Sequence, residues 1–311
     1  MSTVLVTGGA GFIGSHLIDA LLSEGHQVRI VDNLVTGFQR NIDRLNGRAE
    51  FIKGDLAESA IALEACRDIE YVFHQAALPS VPRSMKDPFA TQRSGEIATL
   101  QLLDACARAG VKRLMFSGSS SAYGGTIALP KVETMPPAPL SPYAASKVSC
   151  ENYVAAYAHC RGLDSIIFRY FNIFGPRQDP NSPYSAVISV FLSRMRKGEQ
   201  PHINGDGEHS RDFTYIENVV HANLLAMRAP DKLKGRVCNL GCGDRITIKG
   251  LIAALNAALG TSIEPTFGPT RPGDALHSQA DISRIRELLG FEPRVRFAEG
   301  IRRLVKSENA C

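Results

Sequence analysis

The opening run VLVTGGAGFIGSH, residues 4–16, constrains the fold more than any other stretch of the chain. Thr3 to Val6 is apolar and β-branched and reads as a strand; Phe12 to Ser23 has the apolar spacing of a helix. Between them stand Gly8, Gly11 and Gly14, at GxxGxxG spacing. Glycines there let the backbone turn sharply and approach a pyrophosphate, whose charge then lies on the helix N-terminus. Gly8, Gly11, Phe12, Ile13 and Gly14 are therefore candidate dinucleotide contacts.

The pattern continues. Gln27 to Val31, Glu50 to Ile52, Tyr71 to Phe73, Lys112 to Phe116 and Ser165 to Phe168 read as strands, with helices near 57–66, 90–109 and 142–161. Strands alternating with helices of this length predict an α/β fold with a doubly wound parallel sheet. After Arg169 comes the proline-rich FGPRQDPNSP, then shorter elements. The expected division is residues 1–172 around the nucleotide and 173–311 as a smaller C-terminal α/β substrate lobe, with about 212–240 returning to the first sheet.

Composition narrows the partners. The net charge of +4 is spread without runs of one sign, which argues against nucleic acid or a membrane surface. Seven cysteines, at 66, 106, 150, 160, 238, 242 and 311, include no CxxC pair. No metal site is expected, and the cysteines read as buried reduced thiols of a cytoplasmic protein. The N-terminus runs directly into a strand, so no signal peptide is expected. No apolar run approaches the ~18 residues of a membrane span.

Strand ends supply the next candidates. Asp32, followed by Asn33 and Gly37, is placed to hold the adenosine ribose hydroxyls and to repel a 2′-phosphate, which favours NAD over NADP. Asp55 and Leu56 close the third strand near the adenine edge, and Gln75, Ala76 and Ala77 follow the fourth. The run LMFSGSSSAYGG crowds serines at the end of the fifth strand without an acid. SPYAASK then sets Tyr143 and Lys147 on one helix face. An ammonium beside a phenol favours the phenolate, so the tyrosine pKa is expected to fall toward neutrality and make a general base.

Taken with RYFNIFGPRQ, INGDGEHSRDFTYIENVVHANLL and RPGDALHSQADISRIRELLGFEP, these motifs make the chain resemble, over about residues 3–304, the extended short-chain dehydrogenase/reductases. More narrowly it is similar to the nucleotide-sugar 4-epimerases, and most of all to the bacterial UDP-N-acetylglucosamine 4-epimerases. The resemblance implies that Tyr143 is the base, Lys147 its partner and Ser119 the bridging hydroxyl, with Ser120 the near alternative. It places Phe171 beside the nicotinamide and Asn172 at the diphosphate. Arg211 and Arg271 would hold phosphates, Asp274 the uridine ribose, and Ala186, Val187 and His202 to Asn204 the uracil. Ser278 stands where relatives limited to UDP-glucose and UDP-galactose carry a tyrosine, so room for an acetamido group is implied.

Dehydratases and decarboxylases of this superfamily have acids just after the catalytic hydroxyl; here Ser120 and Ser121 stand there. The resemblance therefore implies simple oxidation and re-reduction at C4: epimerisation of UDP-GlcNAc and UDP-GalNAc with NAD. The alternatives are a UDP-glucose/UDP-galactose or UDP-uronic acid epimerase, and a non-catalytic NAD-binding regulator or scaffold. A homodimer is implied through a four-helix bundle, using positions such as Ile97, Leu100, Leu103, Val154 and Tyr157. Two departures stand out: Gly95-Glu96 replaces the family's Asn-Val, and Gly118 a common serine.

Overall fold

The computed structural model describes residues 1–179, 187–270 and 277–308. Seven parallel strands form its central sheet: β1 (Thr3–Thr7), β2 (Gln27–Asp32), β3 (Glu50–Lys53), β4 (Tyr71–His74), β5 (Arg113–Ser119), β6 (Ser165–Tyr170) and β7 (Arg236–Leu240). Their order is β7-β6-β5-β4-β1-β2-β3. Apolar runs give this sheet because both of its faces are covered. Val4 and Val6 join one core cluster while Leu5 joins the other, and Ile166 and Phe168 are split from Ile167 in the same way. The period of two in a strand sends alternate residues to opposite faces.

One face is covered by helices Phe12–Ser23 and Ile216–Arg228, through Leu17, Ile18, Val219 and Ala226. The other is covered by Ser59–Ala65, Ala98–Ala109 and Pro142–Cys160, through Ala62, Leu102, Leu103, Cys150 and Val154. The helix expected at 90–109 starts earlier. Asp87 caps it by accepting from the Ala90 N–H at 2.9 Å, with Pro88 in the first turn. Its middle, Arg93–Ile97, widens into a π-helical turn before Ala98–Ala109. Gly110, at φ 70°, ends it. This turn holds the Gly95 departure, and a Cβ on Gly95 would lie 3.3 Å from Ser146 Oγ of the neighbouring helix.

β7 comes back from the later chain and pairs in parallel with β6, Arg236 opposite Ile166 through Leu240 opposite Tyr170. The rest of the later chain forms small pairings: Ile173–Phe174 with Thr214–Tyr215, Ser210–Arg211 with Ile246–Thr247, and His202–Asn204 with Thr266–Gly268. Strand order reverses between β1 and β4, so the connections that leave their carboxyl ends run in opposite directions and open a crevice above them.

Two expectations change. Leu103 and Val154 are fully buried against the sheet, so neither is available to a partner helix; Ile97 is exposed. Cys160 is exposed, because it closes the outer end of its helix, while the other cysteines among the described residues are buried thiols. No helix among the described residues is long and apolar enough to cross a membrane.

Candidate active site

A cleft of about 850 Å³ lies over the crevice. Its floor begins at the glycine turn. Gly8 has φ +66°, and a Cβ there would fall 2.7 Å from Ala76 N; a Cβ on Gly14 would fall 2.4 Å from Gly8 O. A side chain at Gly8 would push the turn away from the segment after β4, and one at Gly14 would push the helix off the turn. Gly11 is different: only Gly8 O, at 3.2 Å, lies near its missing Cβ, so that side faces the cleft. Gly11 is also the N-cap of helix Phe12–Ser23, and no side chain caps it. Unsatisfied N–H groups at a helix N-terminus, with no Cβ in the way, suit a pyrophosphate.

Thr7 ties this floor together. Its Oγ1 accepts from the N–H groups of Gln75 and Ala76, both at 3.2 Å. Both lone pairs are then used, so its proton goes to His74 Nδ1 at 2.7 Å. His74 Nε2–H in turn donates to Thr99 Oγ1 at 2.9 Å. Burial lowers the His74 pKa to about 3, so the ring stays neutral.

Asp32 ends β2 at the cleft edge and accepts from Leu34 N at 2.8 Å and Ala10 N at 3.0 Å. Burial raises its pKa, and these N–H groups pull it back. A Cβ on Gly37 would crowd the carboxylate at 3.0 Å, so glycine keeps the acid open to the cleft. Asp55 accepts from Ala57 N at 2.9 Å and from Arg93 Nε at 3.1 Å. Asn33, Leu56, Gln75, Ala76 and Ala77 also line the cleft, with Phe12 and Ile13.

Ser119, at the end of β5, lines the same cleft as Tyr143 and Lys147 of helix Pro142–Cys160. Ser141 caps their helix by accepting from Ala144 N at 3.2 Å, with Pro142 in the first turn. Lys147 is buried; its Nζ donates to Ser117 O at 2.8 Å and lies 5.1 Å from the Phe116 ring centroid. Ser119 Oγ accepts from Ser121 Oγ at 2.8 Å and Ser121 N at 3.2 Å, and the Ser119 hydroxyl favours the Tyr143 anion.

The expected fall of the Tyr143 pKa is not what this arrangement produces. Burial raises it, and the Ser119 hydroxyl only partly offsets that. Lys147 is itself lowered by burial, and its Nζ donates to Ser117 O. Beneath it, the buried Glu151 carboxylate takes Arg169 Nη2 at 2.7 Å. A Cβ on Gly118 would meet Glu151 Oε1 at 2.9 Å, which accounts for the glycine found there.

The sugar-side candidates are less gathered. Asn172, at φ 37°, lines the cleft and donates from Nδ2 to Ser278 Oγ at 3.2 Å and Asp212 O at 3.1 Å. Phe171 is fully buried in the core, and Tyr170 takes the cleft position instead. Ser120 is not among the described residues lining the cleft, nor are Val187, His202, Asn204 and Arg211. His202 is exposed and bonded to Thr266 Oγ1; Val187 opens helix Val187–Arg196. Ala186, Arg271 and Asp274 lie outside the described residues. Ser80, Arg83, Arg177 and Gln178 line the cleft without having been singled out. Their signal was position: they follow β4 and β6 on the carboxyl side, where doubly wound sheets take their ligands.

A sequence model of the NAD dependent epimerase/dehydratase family matches residues 4–241. The UDP-glucose 4-epimerase of Mycolicibacterium smegmatis is 38% identical over 306 residues, covering 97% of each chain. A UDP-N-acetylglucosamine 4-epimerase from Methanobrevibacter ruminantium, solved with UDP-N-acetylmuramic acid, is 41% identical with a TM-score of 0.94, over 99% of this chain and 98% of that one. The UDP-glucuronic acid 4-epimerase of Bacillus cereus, solved with UDP-glucuronic acid and NAD, is 31% identical with a TM-score of 0.91, over 99% of both.

Proposed function

The chain belongs to the NAD-dependent epimerase/dehydratase family and takes NAD as cofactor, and from that premise we propose that it interconverts UDP-GlcNAc and UDP-GalNAc. The coarser reading, a nucleotide-sugar 4-epimerase, rests on the relatives above and on one observation: Ser119, Tyr143 and Lys147 line the same cleft as the glycine turn and Asp32. The cradle fits the cofactor, since Gly11 leaves the helix N-terminus open and Asp32 presents a carboxylate where a 2′-phosphate would be repelled.

Bound NAD would supply the hydride acceptor and donor for C4, and its positive charge would favour the Tyr143 anion. Tyr143 accepts the 4-hydroxyl proton and later gives it back, so it needs its phenolate form at the start. Ser119 holds the sugar 4-oxygen and the phenol in one hydrogen-bonded line. Lys147 supplies the buried positive charge that offsets the phenolate. Ser120 and Ser121 offer no carboxylate, so the 4-keto sugar has no base beside it for elimination or decarboxylation and is simply reduced on the other face.

The N-acetyl preference rests on the small size of Ser278, which does not itself line the cleft but accepts a hydrogen bond from Asn172, which does. Asn172, Arg211 and Arg271 are assigned to the diphosphate, Asp274 to the ribose, and Ala186, Val187, His202 and Asn204 to the uracil side of the lobe after residue 172. A homodimer in a cytoplasmic setting completes this reading. A UDP-glucose/UDP-galactose preference is the second reading, favoured by the mycobacterial relative. Purified protein incubated with each UDP-sugar alone decides between them. Interconversion of the N-acetylated pair, with no net change in NAD, is the expected result; turnover of the UDP-glucose pair alone rejects it.

A further inference from the structure

The segment after β6 is tied to the helix that follows the glycine turn. Ile173, Arg177 and Gln178 of this segment line the same cleft as Gly11, Phe12 and Ile13. Arg177 stands at φ 68°, a left-handed conformation that residues with a Cβ rarely adopt. Such a conformation persists where the surroundings hold it in place. What holds it lies on helix Phe12–Ser23: Arg177 Nη2 donates to Asp19 Oδ2 at 2.7 Å and to His16 Nδ1 at 3.2 Å.

The direction of these bonds follows from counting protons. Pro176 O can only accept, so His16 Nε2 carries the ring proton and donates to it at 3.0 Å. The neutral ring then has a lone pair on Nδ1, which receives Arg177. Burial and the neighbouring guanidinium lower the His16 pKa to about 4, so the pattern survives at neutral pH. Asp19 Oδ1 is taken by Arg44 Nη1 at 2.7 Å, and its other oxygen is left for Arg177. The helix thus grips two consecutive residues, Pro176 by its carbonyl and Arg177 by its side chain. His16, Asp19 and Arg44 are not among the described residues lining the cleft.

The helix N-terminus at Gly11 is where the cofactor's diphosphate fits. On one side of it the glycine turn is backbone packed against backbone, with no room even for a Cβ at Gly8. The segment after β6 is instead fixed to the helix by side chains, so it is the part that can swing away. We propose that Arg177 is a positioning residue that latches this segment to the cofactor helix and slows the departure of bound NAD. The latch goes beyond the proposed reaction and does not depend on which sugar is used.

The test follows release of NAD from purified holoprotein, by exchange against radiolabelled NAD with no sugar present. Asp19→Ala removes the acceptor and leaves every residue of the cleft unaltered. Release should quicken about 10-fold, because the cost of a lost charge-assisted bond appears mainly in the off-rate. Charge alone predicts the reverse, since removing a carboxylate favours retention of an anionic diphosphate. Asp19→Asn, which keeps the shape of the side chain, should quicken release by about threefold and serves if Asp19→Ala folds poorly. Arg177→Ala should be at least as fast as Asp19→Ala, and the double variant no faster than Arg177→Ala. Arg44→Ala, which strips Asp19 of its other partner, should stay within about twofold of the unaltered protein. Unchanged or slower release in both Asp19 variants overturns the proposal. So does an additive effect in the double variant, or an equal quickening in Arg44→Ala, which would mean that the cluster only props the helix. Sugar turnover enters none of these measurements, so their outcome is separate from that of the epimerase reading.

Discussion

The two walls of the cleft are built by different means. The wall from β1 to β5 is mostly backbone: Gly8, Gly11 and Gly14 define it by what they lack, and Asp32 is held by two main-chain N–H groups. The wall beyond β6 is assembled from side chains far apart in the chain, as when Asn172 reaches Ser278. A backbone cradle tolerates almost no change but is indifferent to the substituents of the sugar. A wall of side chains can be altered one residue at a time. Cofactor choice should therefore be hard to move in this protein, and sugar choice easy.

The sharpest way to break that division is Tyr143→Phe, which stands where the walls meet. Turnover should drop about 10³-fold, while UDP-sugar affinity by calorimetry stays within a few-fold. A large loss of affinity would mean that the first wall also holds the sugar. Gly8→Ala comes next. The left-handed backbone and the 2.7 Å approach to Ala76 N should together cost about 2–4 kcal/mol in stability, with loss of bound NAD. Retention of the cofactor at wild-type level would show that the cradle is not made by sterics.

Ser278→Tyr probes the other wall. Overfilling typically costs ~1–3 kcal/mol, so selectivity against the N-acetylated pair should rise by roughly 5- to 150-fold while NAD content is unchanged. Equal losses on both sugar pairs would place specificity elsewhere. A test read in pH concerns His74, behind the first wall. Unfolded chain binds a proton at this ring below pH 6.5, whereas the native ring stays neutral down to about 3. Stability should fall as pH drops through that window, with a contribution of about 1.4 kcal/mol per pH unit from this group. Denaturant titrations of His74→Gln should show a shallower fall than wild type, and parallel curves would remove His74 as a cause.

The same division governs what could be read in advance. Strands buried on both faces appear as apolar runs, so β1 to β4 and β6 were legible to within two residues, while β5 runs three residues past Phe116 because its end is polar. The glycine spacing, Asp32 and the Tyr143–Lys147 pair are local signals and were equally plain. The π-helical turn at Arg93–Ile97 was not, because it depends on how closely Gly95 meets Ser146 of another helix. Phe171 was misplaced by one position. β6 ends at Tyr170, whose side chain stays at the cleft, and the next residue turns into the core. The rise of the Tyr143 pKa was hidden too, since a charge four residues away is visible in sequence whereas the depth of burial is not.

The return of β7 to the edge of β6 has a consequence for recombination. The segments proposed to face the sugar flank a helix and a strand that pack on the central sheet, so one crossover after residue 172 would separate Ile216–Arg228 and Arg236–Leu240 from the parent they pack against. It would seat a foreign strand along β6 or leave that edge bare, with unpaired N–H and C=O groups ready to join another chain. A functional hybrid has to exchange the sugar-facing pieces on either side of this insert and keep the insert with its own sheet. Shuffling among relatives should thus succeed by patches and fail by halves, and new specificities in this scaffold would have to arise largely through small replacements.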